Sequence, residues 1–168
     1  MDSNTFYTKI KNARPQYAES KSKLVSEVLG KKGFSKGEFT RFGPIYQVFM
    51  YAFMLGFHSS NRIEITGKKK EFFPIGNWQP SSIVEIILMT IFSREDLIGY
   101  SWSELEDLEE EELNDVIKMI VKVMEEYANG GLSILEDKLE HNPEEFHDPF
   151  VFVNILKNTV DRKGDFIN

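Results

Sequence analysis

Between Pro44 and Phe57 the chain reads PIYQVFMYAFMLGF. Tyr46, Phe49, Met50, Phe53, Met54 and Phe57 recur at three- and four-residue steps, the period of an α-helix. Tyr51, Ala52 and Leu55 occupy the remaining sides. Such a helix is apolar nearly all round and belongs in an interior. Pro44 suits its first turn. The segment is too short and too interrupted to cross a bilayer, and so is the apolar run 83–92. The rest of the chain must therefore wrap around this helix.

The wrapping is legible as further helices. One starts near Tyr17, with Leu24, Val25, Val28 and Leu29 on one face and Gly30 as its stop. A second buried helix, SIVEIILMTIF, is capped by Ser81 or Ser82, and Ser82 with Glu85 has capping-box spacing. A third begins in the acidic stretch SELEDLEEEELND, which suits the positive end of a helix dipole. Its apolar phase runs through Leu113, Val116, Ile117, Ile120, Val121, Met124, Tyr127 and Ala128. The phase continues at Leu132, Leu135 and Leu139, and Asn142-Pro143 ends it. A last helix is expected from Asp148 or Pro149 to about Val160, with Phe150, Val153 and Leu156 inward. Phe6–Ala13 is a short basic segment before Pro15.

Two stretches break the helical pattern. KKGFSKGEFTRFGP, with its glycines and cations, reads as an exposed loop. HSSNRIEITGKKKEFFPIGNWQP contains RIEIT, which alternates like a strand, and EFFPI, which could pair with it across a turn at Gly67–Lys70. The other reading of this stretch is a long ordered loop pinned by Phe72, Phe73 and Trp78. The expectation is a mainly α, single-domain helical bundle over residues 1–168. It has about five to seven helices, with a short β-hairpin around residues 62–75 as an option. Residues 1–16 and 161–168 are expected at its periphery.

Composition bounds the function. The chain has 168 residues, 13% of them aromatic, and no cysteine. Disulfides, cysteine-based zinc sites and cysteine nucleophiles are excluded. The N-terminal stretch lacks the apolar run of a signal peptide, so a cytoplasmic location is expected. Net charge is −7, which does not suggest bulk nucleic-acid binding. The distribution is uneven: residues 1–70 hold 13 Lys/Arg and 5 Asp/Glu, and residues 71–168 hold 7 and 22. Either the halves neutralise each other across one fold, or they present a basic and an acidic contact surface.

Candidate chemistry is sparse. His141, Glu144 and His147 could ligate a metal, but Pro143 breaks the helical spacing that H-E-x-x-H needs. They define an alternative reading as a metal-dependent hydrolase or nuclease. Arg62, Lys68, Lys69 and Lys70 cluster in one loop, and Lys31, Lys32, Lys36 and Arg41 in the other. If the loops share a face with Phe34, Phe39 and Phe72, they suit phosphate contact. Arg41, Arg62, Lys68, Lys69 and Lys70 are therefore the candidate DNA-binding residues. No phosphate-loop, dinucleotide or nucleophile-elbow motif occurs, and no cofactor is expected. Asn129-Gly130-Gly131 interrupts good helical phase at a cost of about 2 kcal/mol relative to alanine. Two outcomes are open. Either the helix continues and its glycines admit a close neighbour, or the stretch is a tight joint between two helices.

Three blocks in order carry a resemblance: YAFMLGFHSSNRIEI, FFPIGNWQPSSIVEIILMTIF and EEYANGGLSILEDKL. Over Gly37–Leu139 the chain resembles the DNA phosphorothioation-associated protein 4 family, small accessory proteins of bacterial Dnd-type systems. Tyr127, Asn129, Gly130 and Gly131 form its most specific motif. The resemblance implies a role beside a sulfur-modification and restriction system used against foreign DNA, as in antiviral defence. It implies other subunits of that system as partners and no catalytic residue. An interaction module that pairs with itself through an apolar helical face is the remaining alternative.

Overall fold

The computed structural model describes residues 3–30 and 41–164. Seven α-helices occur among the described residues: α1 (Ser3–Asn12), α2 (Ile45–His58), α3 (Ser81–Phe92), α4 (Glu95–Ile98), α5 (Trp102–Glu106), α6 (Glu110–His141) and α7 (Val151–Gly164). Two three-residue strands, β1 (Gln16–Ala18) and β2 (Lys69–Glu71), pair antiparallel, with Tyr17 opposite Lys70. The protein is mainly α with one small antiparallel sheet, and no helix is long and apolar enough to cross a membrane among the described residues.

The apolar helix α2 is central. Val48, Phe49, Ala52, Phe53 and Leu55 have no exposed surface. Its principal partner is α6, which spans 32 residues, about 48 Å at the helical rise. α6 runs without a break through Asn129-Gly130-Gly131, so the glycines lie inside one helix. A Cβ on Gly131 would fall well inside 3.0 Å of the Ala52 carbonyl, and one on Gly56 would meet the Tyr127 carbonyl and lie 2.9 Å from the Gly131 nitrogen. The two helices touch backbone to backbone, which only glycine permits.

Several boundaries differ from those expected. The helix expected from Tyr17 is instead strand β1, a 3-10 turn (Glu19–Lys21) and a π-helical stretch (Leu24–Leu29). Tyr17 is drawn into the sheet because its ring packs 4.5 Å from Phe72. Leu24, Val25 and Leu29 are still buried and Gly30 still ends the element. The expected strand RIEIT does not form. β2 lies within 62–75, but β1 takes the edge that RIEIT would have used. Phe72 and Trp78 pin the long loop, whereas Phe73 is 63% exposed.

Ser82 does not cap α3. The helix begins at Ser81 after Pro80, with no side-chain cap bond. The acidic stretch is two helices, each closed by its own capping box: Ser101 with Glu104, and Glu109 with Glu112. The last helix is shifted in phase. Asp148 accepts the Phe150 N–H at 2.9 Å, and the helix starts at Val151. Phe152 then turns inward onto Phe42, Tyr51 and Phe146. Phe150 and Val153, expected inside, are 65% and 63% exposed.

Candidate functional site

Helix α6 and the loop after α2 form the most polar part of the interior. The apolar stretch of α2 ends at His58, and the following loop must satisfy its own backbone groups. It does so on α6. The Ile63 N–H donates to the Glu126 carbonyl at 3.1 Å. Asn61 Nδ2 donates to the Gly130 carbonyl at 3.0 Å, and Asn129 Nδ2 donates to the Ile63 and Glu64 carbonyls at 3.2 and 3.4 Å. Gly130 leaves room for the Asn61 carbonyl, which a Cβ would strike. The Tyr127, Asn129, Gly130, Gly131 motif is thus a seat for two neighbours at once. Gly131 receives α2, and Asn129 and Gly130 receive residues 61–64.

Arg62 is held in this seat. Its Nε donates to Glu126 Oε2 at 2.6 Å, and its guanidinium lies 5.8 Å from the centre of the Tyr127 ring. Glu126 is only 7% exposed, and Lys122 approaches it at 3.6 Å. Beside this pair is an open pocket of about 270 Å³ lined by Glu64, Ile65, Lys69, Lys122, Glu125 and Glu126. Glu125 accepts the backbone N–H of Gln16 at 2.8 Å. Burial pushes its carboxyl above the usual range, against the opposing pull of that N–H and of Lys69. The lining offers charge and hydrogen bonds, and contains no hydroxyl or imidazole.

The cationic candidates separate. Arg62 pairs with Glu126 of α6, and Lys69 lines the open pocket with Glu125 and Glu126. Lys70 stands opposite Tyr17, and strand alternation sends it to the face away from Lys69. The Lys68 carbonyl accepts the Glu19 N–H at 2.8 Å, and its side chain is exposed. Arg41 has other surroundings: its neighbour Phe42 packs on Tyr51 and Phe152, on the side of α7. Lys31, Lys32, Lys36, Phe34 and Phe39 lie outside the described residues.

Across the fold, cations of the first 70 residues pair with anions of α6: Lys9 with Glu110 at 2.9 Å, Lys21 with Glu136, and Arg62 with Glu126. The charge asymmetry of the sequence is in part consumed internally. His141 donates to the Asp137 carbonyl at 2.8 Å, and this bond with the nearby Asp137 carboxylate raises its pKa. His147 closes a 3-10 turn (Pro143–His147). Among the described residues, no three His, Asp or Glu side chains gather as a metal-holding group, so His141, Glu144 and His147 are not brought together as one. Glu64, Lys122, Glu125 and Glu126 were not singled out from the sequence. Their signal was present as Lys122, Glu125 and Glu126 at one-turn spacing, directly before the Asn129-Gly130-Gly131 motif of the same helix.

The fold and this seat define a helical protein organised by one glycine-bearing crossing. Compared with known families, the chain matches that of DNA sulphur modification system-associated protein 4 over residues 14–166. It belongs to that family and is associated with a DNA sulphur-modification system. No curated protein and no solved structure matches it.

Proposed function

We propose that this protein is a non-enzymatic accessory or adaptor subunit of its DNA sulphur-modification system, working in the bacterial cytoplasm by contact with the system's other proteins. The same reading places it in the restriction or antiviral arm of such a system. Family membership over nearly the whole chain carries the proposal. The exposed line of Phe150, just before α7, with Val153 and Val160 on it, one to two turns apart, supports it, because exposed apolar groups in line are what a protein partner covers. The test is co-purification with the remaining proteins of the system. The tagged chain should retain at least one of them, and Phe150→Asp with Val153→Asp should release it without lowering the melting temperature. Retention of none of them would overturn the proposal.

A second reading adds DNA. Lys68 and Lys70 are exposed and form no ion pair among the described residues, so they are available to phosphates, whereas Arg62 is held by Glu126. Binding through them must fall steeply with salt. A gel-shift series at rising salt, repeated with Lys68→Glu and Lys70→Glu, tests it. An unchanged slope rejects these lysines as contacts.

A further inference from the structure

The open pocket between α6, the loop after α2 and strand β2 has two sides that differ in how their charges are met. On the loop side, Lys122 lies 3.6 Å from Glu126 and 4.0 Å from Glu64, and Arg62 also holds Glu126. Those charges already have partners. On the sheet side stand Glu125 and Lys69. Glu125 accepts the Gln16 N–H at 2.8 Å, but neither Glu125 nor Lys69 forms an ion pair among the described residues. They act on each other all the same: burial raises the carboxyl's pKa, and the charge of Lys69 draws it back. An anion and a cation that line one pocket, feel each other and do not touch leave a gap with a negative end and a positive end.

Size narrows what fills it. The volume, about 270 Å³, lies below the roughly 300–1,000 Å³ of sites for drug-sized ligands. The ligand must be small, and it must bring a cation to Glu125 and an anion to Lys69. An α-amino acid carries both on one carbon. Ile65, only 6% exposed, is the apolar residue of the lining, and it offers its surface to a short aliphatic side chain. The loop side is fixed in place. Residues 61–66 lie between Ser60 and Gly67, which take left-handed φ values of 54° and 76°, and Asn129 Nδ2 holds the carbonyls of Ile63 and Glu64. Asn129 of the Tyr127, Asn129, Gly130, Gly131 motif therefore sets one wall of the pocket.

We infer that this pocket binds a free α-amino acid with a small aliphatic side chain, its ammonium on Glu125 and its carboxylate on Lys69. The inference stands apart from the proposed function, because it is read on the purified chain without partner proteins or DNA. Calorimetric titration with L-valine should saturate, and the amide signals that shift should be those of residues 64–69 and 122–126. N-acetyl-L-valine lacks the ammonium and L-valinamide lacks the carboxylate, so each should bind at least about tenfold more weakly. Glu125→Gln and Lys69→Gln should each weaken L-valine by a similar factor. Glu125→Gln keeps an acceptor for the Gln16 N–H, and the two analogues are read on the unsubstituted chain. Lys70→Gln, on the other face of β2, should leave binding unchanged. No saturable binding up to about 10 mM, binding unaltered in either pocket variant, or shifts confined to other residues would each overturn the inference. So would equal binding of N-acetyl-L-valine or of L-valinamide, which would make the pocket a seat for the C-terminus or the N-terminus of a chain.

Discussion

The backbone of Gly131 lies against the carbonyl of Ala52 with no room for a side-chain carbon between them. Gly56 meets the Tyr127 carbonyl in the same way, so each helix supplies a glycine to the other. The helical propensity lost at Gly130 and Gly131 is offset by this approach and by the polar groups that the crossing seats.

Replacing Gly131 with alanine therefore costs packing and gains only propensity. We expect Gly131→Ala to destabilise the fold by about 1–3 kcal/mol and Gly131→Leu by more. In a chain of this size the alanine variant should melt about 2–12 °C lower. An unchanged thermal melt for both variants would contradict the crossing as described.

Asn129 ties residues 63 and 64 to α6 by donating to two carbonyls. Asn129→Asp presents carboxylate oxygens to those carbonyls, where no donor is left. A loss of about 1–3 kcal/mol is expected, together with faster amide exchange in residues 61–65. Equal exchange in the two proteins would remove Asn129 from this role.

The Arg62–Glu126 pair is partly open to solvent on the arginine side, and Lys122 remains near Glu126. Arg62→Ala should therefore cost less than the 3–5 kcal/mol of a fully buried pair, about 1–2 kcal/mol. Glu126→Gln in the same chain should recover part of that loss. The four-protein denaturation cycle measures the coupling, and additive losses would show that the contact contributes nothing.

Glu125 supplies a pH dependence with a definite sign. Burial raises its folded-state pKa above the ordinary 4.5, so between those two values the folded protein binds the proton more tightly. Its contribution to stability is greatest at low pH and falls as pH rises through the folded pKa. Glu125→Gln, which keeps an oxygen for the Gln16 N–H, should raise the melting temperature at neutral pH. The advantage should shrink below pH 4.5. Melts across the acid range check this, and a gain that persists at low pH would assign the effect elsewhere.

Much of this was readable beforehand. The α2 and α6 phases follow from apolar period alone, and the central place of α2 follows from its lack of a polar side. What failed was decided by distant residues. Tyr17 left its helical pattern for Phe72, which lies over fifty positions away. Phe150 and Val153 have an inward spacing of their own, but the ring cluster of Phe42, Tyr51 and Phe146 selected Phe152 instead. At the candidate site, the lysine run was visible but its division was not. Pairing with β1 sends Lys69 toward α6 and Lys70 the other way, and β1 itself was not foreseen. The polar duty of Asn129 was likewise hidden, because its carbonyl partners are backbone groups that no residue type announces.

The glycine crossing has one more consequence, which concerns motion. Two helices that meet through side chains can creep along each other as rotamers adjust. Here the interlocking parts are carbonyl groups set into glycine gaps, and the positions one turn from Gly131 on the same face of α6 carry Tyr127 and Leu135. A slide of one turn would drive a carbon into an oxygen. The long helix is therefore pinned at one point along its length, like a beam on a fulcrum, and whatever displaces either end must tilt it about that point.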